Sequence, residues 1–339
     1  MKRILCILLL TASLIACEKE YDIYPGDITP DGGGEDDNAE PTSSVSTINI
    51  LDYFSSTSIY VKDFAFDSQG VVWVATNQGL LKVDEDDNHQ IYDTRNTNLL
   101  DNYIRYVSID NEDRIWLVIE DAVCLFSPEQ YSCQAFTSDN SEFTSSSSSK
   151  VICVDNGGLF LTNSDRVFEY KENTWQIKYD MDDFFDINVY PYTRRHTLDY
   201  QDSTFWLISS YGIVAISNDS TAERYHTGNC GISDNDIRGI QEDADGNLWF
   251  ENDSGLEMYD GISWHLYRDN YNVEVFDDIV ICVAGTHSHY TAVWEDFWKP
   301  FMYQGTSYPG HYNYAAIDHE GCIWLSYGSV LYKTVLSRD

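Results

Sequence analysis

The line GVVWVATNQGLLKVD at residues 70–84 returns as GNLWFENDSGLEMYD at 246–260, with glycine, tryptophan, a second glycine, leucine and a closing aspartate at the same offsets. A pattern that recurs at fixed offsets signals one supersecondary unit used repeatedly, and it constrains the fold before local propensity does. With the central aromatic as anchor, copies fall at Trp73, Trp116, Phe160, Trp206 and Trp249, at intervals of 43, 44, 46 and 43 residues. Trp324, in GCIWLSYGSVLYK, anchors a further copy. The interval of 75 residues from Trp249 to Trp324 leaves room for one more, with its anchor near Cys282–Val283 and its hairpin legible in AVWEDFWKPF. A second aromatic follows 15 residues after an anchor at Tyr131, Trp175, Trp264 and Trp298. The count is seven units.

Each unit reads as four short strands. An apolar, β-rich stretch (FAFD, YVSID, IRGIQED) ends in an Asp-x-x-Gly-like turn, whose aspartate hydrogen-bonds the backbone while glycine takes the positive φ. The anchor strand follows, then a Gly-Leu turn, a third strand ending in Tyr-Asp or similar, and a fourth. No long 3.6-residue periodicity occurs in 46–339. Four-stranded units of this length, repeated seven times, predict an all-β, seven-bladed β-propeller over residues 46–339. The large aromatics then lie between neighbouring blades. Too few residues follow Trp324 for the last blade's fourth strand, and residues 47–54 (TINILDYF) read as that strand. An N-terminal strand in this role closes the ring and removes two open edges.

Asp-x-x-Gly-x-x-Trp followed by Gly-Leu and Tyr-Asp resembles the two-component regulator propeller repeat, across roughly 46–339. The aspartate stands three residues before the glycine at Asp67–Gly70, Asp243–Gly246 and Asp318–Gly321. This differs from the sialidase Asp-box, where it stands two before, and from WD repeats, which close blades with Trp-Asp. The resemblance implies a periplasmic or surface sensor-like propeller; in the family such domains often feed membrane histidine kinases that respond to polysaccharides. This chain has one ring and no kinase segment, so a signalling role by its own means is not expected.

Lys2 and Arg3 precede an apolar run, Ile4–Ile15, too short to span a bilayer. The run ends in Leu14-Ile15-Ala16-Cys17, which resembles the lipobox of bacterial lipoproteins; the resemblance implies cleavage after residue 16 and lipidation of Cys17. Residues 17–45 then form an acidic tether, rich in Pro, Gly and Ser, that cannot bury enough apolar surface to order itself. Acidic stretches in this place resemble the surface-export signals of some Bacteroidetes lipoproteins. The expected location is the cell envelope, lipid-anchored to the outer membrane and facing the periplasm or the surface. Its 56 acidic and 20 basic side chains, net −36, argue against nucleic acid or an anionic bilayer surface as partner.

Apart from Cys6 and Cys17, six cysteines remain, with no Cys-x-x-Cys spacing, so zinc is not expected. Cys124 and Cys133 flank a short turn and can pair across a hairpin in an exported protein. No phosphate-cradling glycine loop, Gly-x-Ser-x-Gly or His-Glu-x-x-His occurs, and no cofactor is expected. His287 and His289 lack a third ligand at fixed spacing and read as a solvated turn.

The candidate site is the mouth where inner strands begin. Ten or eleven residues before five anchors stands a base: Lys62, Arg105, Lys150, Arg195 and Arg238. One reading is a basic ring at the channel mouth that grips a carboxylate, sulfate or phosphate. The other follows from strict alternation, which places these side chains on the face of Phe64, Val107 and Ile240, with the charged heads paired to acids such as Asp63, Asp234 or Asp236. Tyrosines crowd the same loops, including Tyr60, Tyr103, Tyr192 and Tyr312, and suit sugar stacking or ordinary loop packing. The expected function is a non-enzymatic binding or sensor-like module for a glycan or an envelope protein. The alternatives are a polysaccharide lyase or hydrolase at the same mouth, or a structural subunit of an envelope complex.

Overall fold

The aspartate of the repeat reaches further than its own turn, and that reach explains its spacing to the tryptophan. In the computed structural model, Asp67 Oδ1 accepts from the backbone N–H groups of Gln69 and Val71, both at 3.0 Å, while Oδ2 accepts from Trp73 Nε1 at 3.0 Å. Asp110 binds Glu112 N, Arg114 N and Trp116 Nε1 in the same way, and Asp318 binds Glu320 N, Cys322 N and Trp324 Nε1. One carboxylate therefore closes the turn and orients the indole of the next strand. Gly70 holds φ at 78°; in the second unit Asp113 takes the same place at φ 57°, a conformation that aspartate tolerates better than most side chains.

The structure describes residues 45–335 apart from 143–150, 181–198, 285–290, 308–313 and shorter stretches of one to three residues; within 267–315 it describes backbone only. These residues form seven antiparallel sheets, six four-stranded and one five-stranded, with two short 3-10 turns at Ile50–Asp52 and Pro128–Gln130. The first sheet is Val61–Phe66, Val72–Thr76, Gly79–Val83 and His89–Tyr92, in sequence order. The second runs from Ile104 to Phe136, the third from Ile152 to Asp180, the fourth from Asp199 to Tyr225 and the fifth from Gly239 to Tyr267. The sixth runs from Tyr271 to Ser307 and includes the hairpin Thr291–Glu295/Phe297–Tyr303. The last sheet joins Tyr314–Ile317, Cys322–Tyr327 and Val330–Val335 to the N-terminal strand Val45–Asn49, which pairs antiparallel with Val330–Val335. That strand is shorter and earlier than residues 47–54: at Ile50 the chain turns, and Ile50 N donates to Ser329 O at 2.9 Å.

The core lies between sheets rather than within them. Trp73 packs with Ile104, Val107, Ile115 and Leu117 of the second sheet. Trp116 packs with Leu159, Leu161, Phe168 and Trp175 of the third, and Phe160 with Phe205, Leu207 and Val214 of the fourth. Trp206 lies against Ile240, Phe250 and Trp264 of the fifth. Each of these four anchors thus packs its ring against the following sheet, and removal of such a side chain from water is worth roughly 2–3 kcal/mol. Trp324 of the last sheet obeys the same rule, packing with Phe64, Val72 and Val74 of the first.

Candidate mouth site

In an antiparallel meander, the loop into the first strand and the turn between the second and third strands share one end of the sheet. First strands of neighbouring sheets also approach one another. Val107 N in the second sheet donates to Asp63 Oδ2 in the first at 3.0 Å, so Asp63 is engaged with backbone across the seam.

The loops at this end are held by a second repeated device, which the anchor pattern does not reveal. Asn96 Oδ1 accepts from Asp93 N at 2.9 Å and Asn96 Nδ2 donates to Ile91 O at 2.8 Å. Asn140 repeats this with Thr137 N and Ala135 O, and Asn229 with His226 N and Arg224 O. Further along, Asn102 Oδ1 accepts from Thr94 N at 2.7 Å, and Asn235 Oδ1 from Thr227 N at 2.8 Å. Loops 93–103 and 226–236 are therefore one scaffold used twice. Its sequence signal is an asparagine three residues after the start and another at nine, a pattern hidden beside the louder Gly-x-x-Trp. Asp93, at the start of the first copy, is held below the ordinary aspartate range by its hydrogen bond to the Arg95 side chain, and burial only partly opposes this.

The first sheet pins its own loop differently: Asn77 Oδ1 accepts from Tyr60 N at 2.9 Å and Asn77 Nδ2 donates to Ser58 O at 3.0 Å. Thr76 Oγ1 donates to Gly79 O at 2.7 Å across the same turn. Gly79 has φ +126°, and a Cβ there would stand 2.5 Å from Tyr92 O; at Gly212 the corresponding distance to Tyr225 O is 2.0 Å. The glycine of the Gly-Leu turn is dictated by the close approach of the fourth strand's end.

On this frame the structure brings four of the sequence candidates to one end of the first two sheets. Tyr60 and Tyr103 are exposed, at 55% and 39%. Lys62 places its ammonium 4.9 Å over the Tyr103 ring, linking the first two sheets. Arg105 is half-buried at the equivalent place in the second sheet. The alternation expected through these bases does not hold. The register shifts between Val61 and Asp63 and again between Ile104 and Tyr106, so Lys62 and Arg105 stand at bulges. A bulge re-aims a side chain that strict period-2 geometry would send to the Phe64 face. Lys150, Arg195, Arg238, Tyr192, Tyr312, His287, His289 and Cys17 lie outside the described residues.

In the fifth sheet the same loop meets a buried acid. Glu257 is fully buried, and its Oε1 accepts from Ser233 N at 2.8 Å, Ser233 Oγ and Asn252 Nδ2 at 2.6 Å. The equivalent places in the first four sheets hold Leu81, Cys124, Phe168 and Val214, all buried. Ser233 thus offers a hydroxyl beside a carboxylate at the mouth, an arrangement that pins the loop. Asp318, Glu320 and Cys322 bring ligand atoms within 4.8 Å of one another. Lys333 Nζ stands 3.2 Å from Asp318 Oδ2 and 3.3 Å from Glu320 Oε2, so the cluster already holds a cation of the chain's own. Burial also pushes the Cys322 thiol up, away from the thiolate that a metal requires.

Cys124 and Cys133 are disulfide-bonded, with Cα atoms 5.6 Å apart, between the third and fourth strands of the second sheet. Among the described residues no helix is long and apolar enough to cross a membrane.

The two-component regulator propeller family matches residues 231–250, from the loop glycine Gly231 through the anchor Trp249, so that repeat is present in the chain. A comparison with curated protein sequences found no match. Among solved structures, the chain is similar to the extracellular domain of the hybrid two-component system BT3049 from B. thetaiotaomicron, with 17% identity, a TM-score of 0.66, and coverage of 82% of this chain and 40% of that one. The extracellular domain of BT4673 from the same organism gives 12% identity and a TM-score of 0.65, covering 86% of this chain and 42% of that one. Virginiamycin B lyase from Staphylococcus aureus gives 12% identity and a TM-score of 0.65, covering 87% and 99%. The chain spans less than half the length of the two-component domains, and likeness at these identities speaks for the propeller fold.

Proposed function

We propose that this chain, which carries the two-component regulator propeller repeat, is a closed seven-bladed propeller that binds a glycan or an envelope protein at its mouth without catalysing a reaction. Closure is supported by the pairing of Val45–Asn49 with the last sheet and by the packing of Trp324 against the first. In this reading the propeller is exported, lipidated at Cys17 and carried on the acidic tether of residues 17–45 at the outer membrane. The observation that carries the binding role is the mouth itself: two exposed tyrosines and a lysine, on loops braced by asparagine amides. Rigid, partly apolar, partly polar surfaces of this kind bind without a large ordering cost.

The test is thermal stability of the full chain, purified in detergent, against a panel of polysaccharides. A ligand at one hundred times its dissociation constant should stabilise by about 2.7 kcal/mol, a visible shift. A flat response across the panel would remove the glycan half of the proposal and send the search to protein partners by pull-down. The lyase or hydrolase alternative has one supporting contact, Ser233 Oγ to Glu257. Depolymerisation of any panel member that is lost in Ser233→Ala would favour it.

A further inference from the structure

In a chain with 56 acidic and 20 basic side chains, a base is expected to meet a carboxylate. Arg95, Arg114, Arg166, Lys178 and Lys333 do so, at 2.5 to 3.2 Å. Lys62 meets no carboxylate among the described residues; its ammonium stands over the Tyr103 ring, with Asp63 beside it turned to Val107 N. A cation on an exposed ring is held weakly, so an incoming anion can take it over at little cost.

Two tyrosines and a leucine, on fixed backbones, stand beside this cation. Tyr60 and Tyr103 each stand two residues before a bulged base on adjacent sheets. Tyr103 N donates to Asp101 Oδ1 at 2.8 Å and Tyr60 N to Asn77 Oδ1 at 2.9 Å, which sets both backbones. Leu100, 57% exposed, adds an apolar edge from the same loop as Tyr103. The combination is local. In the second copy of the loop scaffold, Ser233 and Asp236 stand where Leu100 and Tyr103 stand in the first, while an aspartate, Asp101 or Asp234, is common to both.

From this juxtaposition we infer that the seam between the first and second sheets at the mouth is a subsite for one acidic sugar residue within an otherwise neutral oligosaccharide. The inference rests on the glycan reading above and narrows it. The uronate carboxylate pairs with Lys62, and the C–H face of the pyranose lies on the tyrosines. Net charge argues against a polyuronate. At ~0.15 M salt charges act over about 8 Å, so one carboxylate feels mainly Lys62, whereas a string of them also meets the acidic loops.

The experiment measures affinities of the full chain in detergent for three sets of oligosaccharides: neutral xylo-oligosaccharides, the same chains bearing a single glucuronic acid, and oligogalacturonates. The singly acidic set should bind tightest. Lys62→Met should weaken it about tenfold or more, and should weaken the neutral set by a clearly smaller factor. Tyr103→Ala should weaken both sets. Lys82→Met, whose ammonium stands over Trp73 in the same sheet, serves as the control and should change neither. Equal binding of neutral and singly acidic sets, or an equal effect of Lys62→Met on both, would overturn the acidic subsite and leave glycan binding standing. Tightest binding of oligogalacturonate would overturn it in favour of a polyanion groove. Binding of none of the three sets would overturn the subsite, and the polysaccharide panel above then decides the glycan reading separately.

Discussion

Asp110 commits one carboxylate to the turn backbone, to Trp116 Nε1 at 2.7 Å and to Arg114 Nε at 2.7 Å, while itself buried. Burial pushes its pKa up, but the hydrogen bonds from Trp116, Arg114 and Glu112 outweigh this and hold it below the ordinary aspartate value. Asp318 has the same balance, with Trp324, Cys322 N and Lys333 as donors. A depressed folded pKa means that the stabilisation is present above the unfolded value, about 4, and is lost as pH falls through the folded one. Asp110→Asn should cost roughly 2–4 kcal/mol at neutral pH, because a buried indole N–H and a guanidinium lose a charged acceptor. Urea midpoints at pH 7 and pH 3 test this. The gap between wild type and variant must narrow in acid, and a gap independent of pH would contradict the account.

At the scale of elements, the repeat is a set of turns with different tolerances. Gly79→Ala forces a Cβ against Tyr92 O in a backbone region that L-residues avoid. Gly261, at φ +86°, has nothing within 4 Å of its Cβ position. Alanine at 261 should therefore cost only the left-handed penalty of about 1–2 kcal/mol. Alanine at 79 should cost more, read as a larger drop in Tm; equal losses would show that the fourth strand's end yields. The disulfide of the second sheet closes a short loop, and the double variant Cys124→Ala/Cys133→Ala should lose about 2–3 kcal/mol by chemical denaturation.

For the whole molecule, the proposed closure rests on the seam between the last and first sheets. Ile50 is fully buried there, Val61 N donates to Gly328 O at 3.3 Å, and Tyr53 Oη donates to the Asp87 carboxylate while its ring lies 4.6 Å from His89. Burial and the neighbouring Asp87 push the Tyr53 phenol up to about 12. Ile50→Ala should destabilise by roughly 2–5 kcal/mol through loss of burial and the cavity left behind. Deletion of residues 45–53 should do something different in kind. It bares the edge of Val330–Val335, so the chain should become aggregation-prone and lose its single cooperative transition. A deletion variant that stays monomeric and unfolds in one step would show that the seam does not hold the molecule closed.

The sequence by itself determined the unit and its reuse, because the Asp turn, the anchor ring and the Gly-Leu turn are local constraints written within a dozen residues. It also placed Tyr60, Lys62, Tyr103 and Arg105 at one end of their sheets, since an antiparallel meander returns to the same end at fixed intervals. Tertiary structure alone decided the rest. The bulges at Lys62 and Arg105 depend on pairing with a neighbouring strand, which no periodicity within one strand records. The carboxylate–indole bond joins two strands, and Glu257 lies in a layer that is apolar in the first four sheets. Whether Lys62 meets an acid or a ring is settled between two sheets whose relevant residues lie some forty apart, where only packing brings Tyr103 beneath the ammonium.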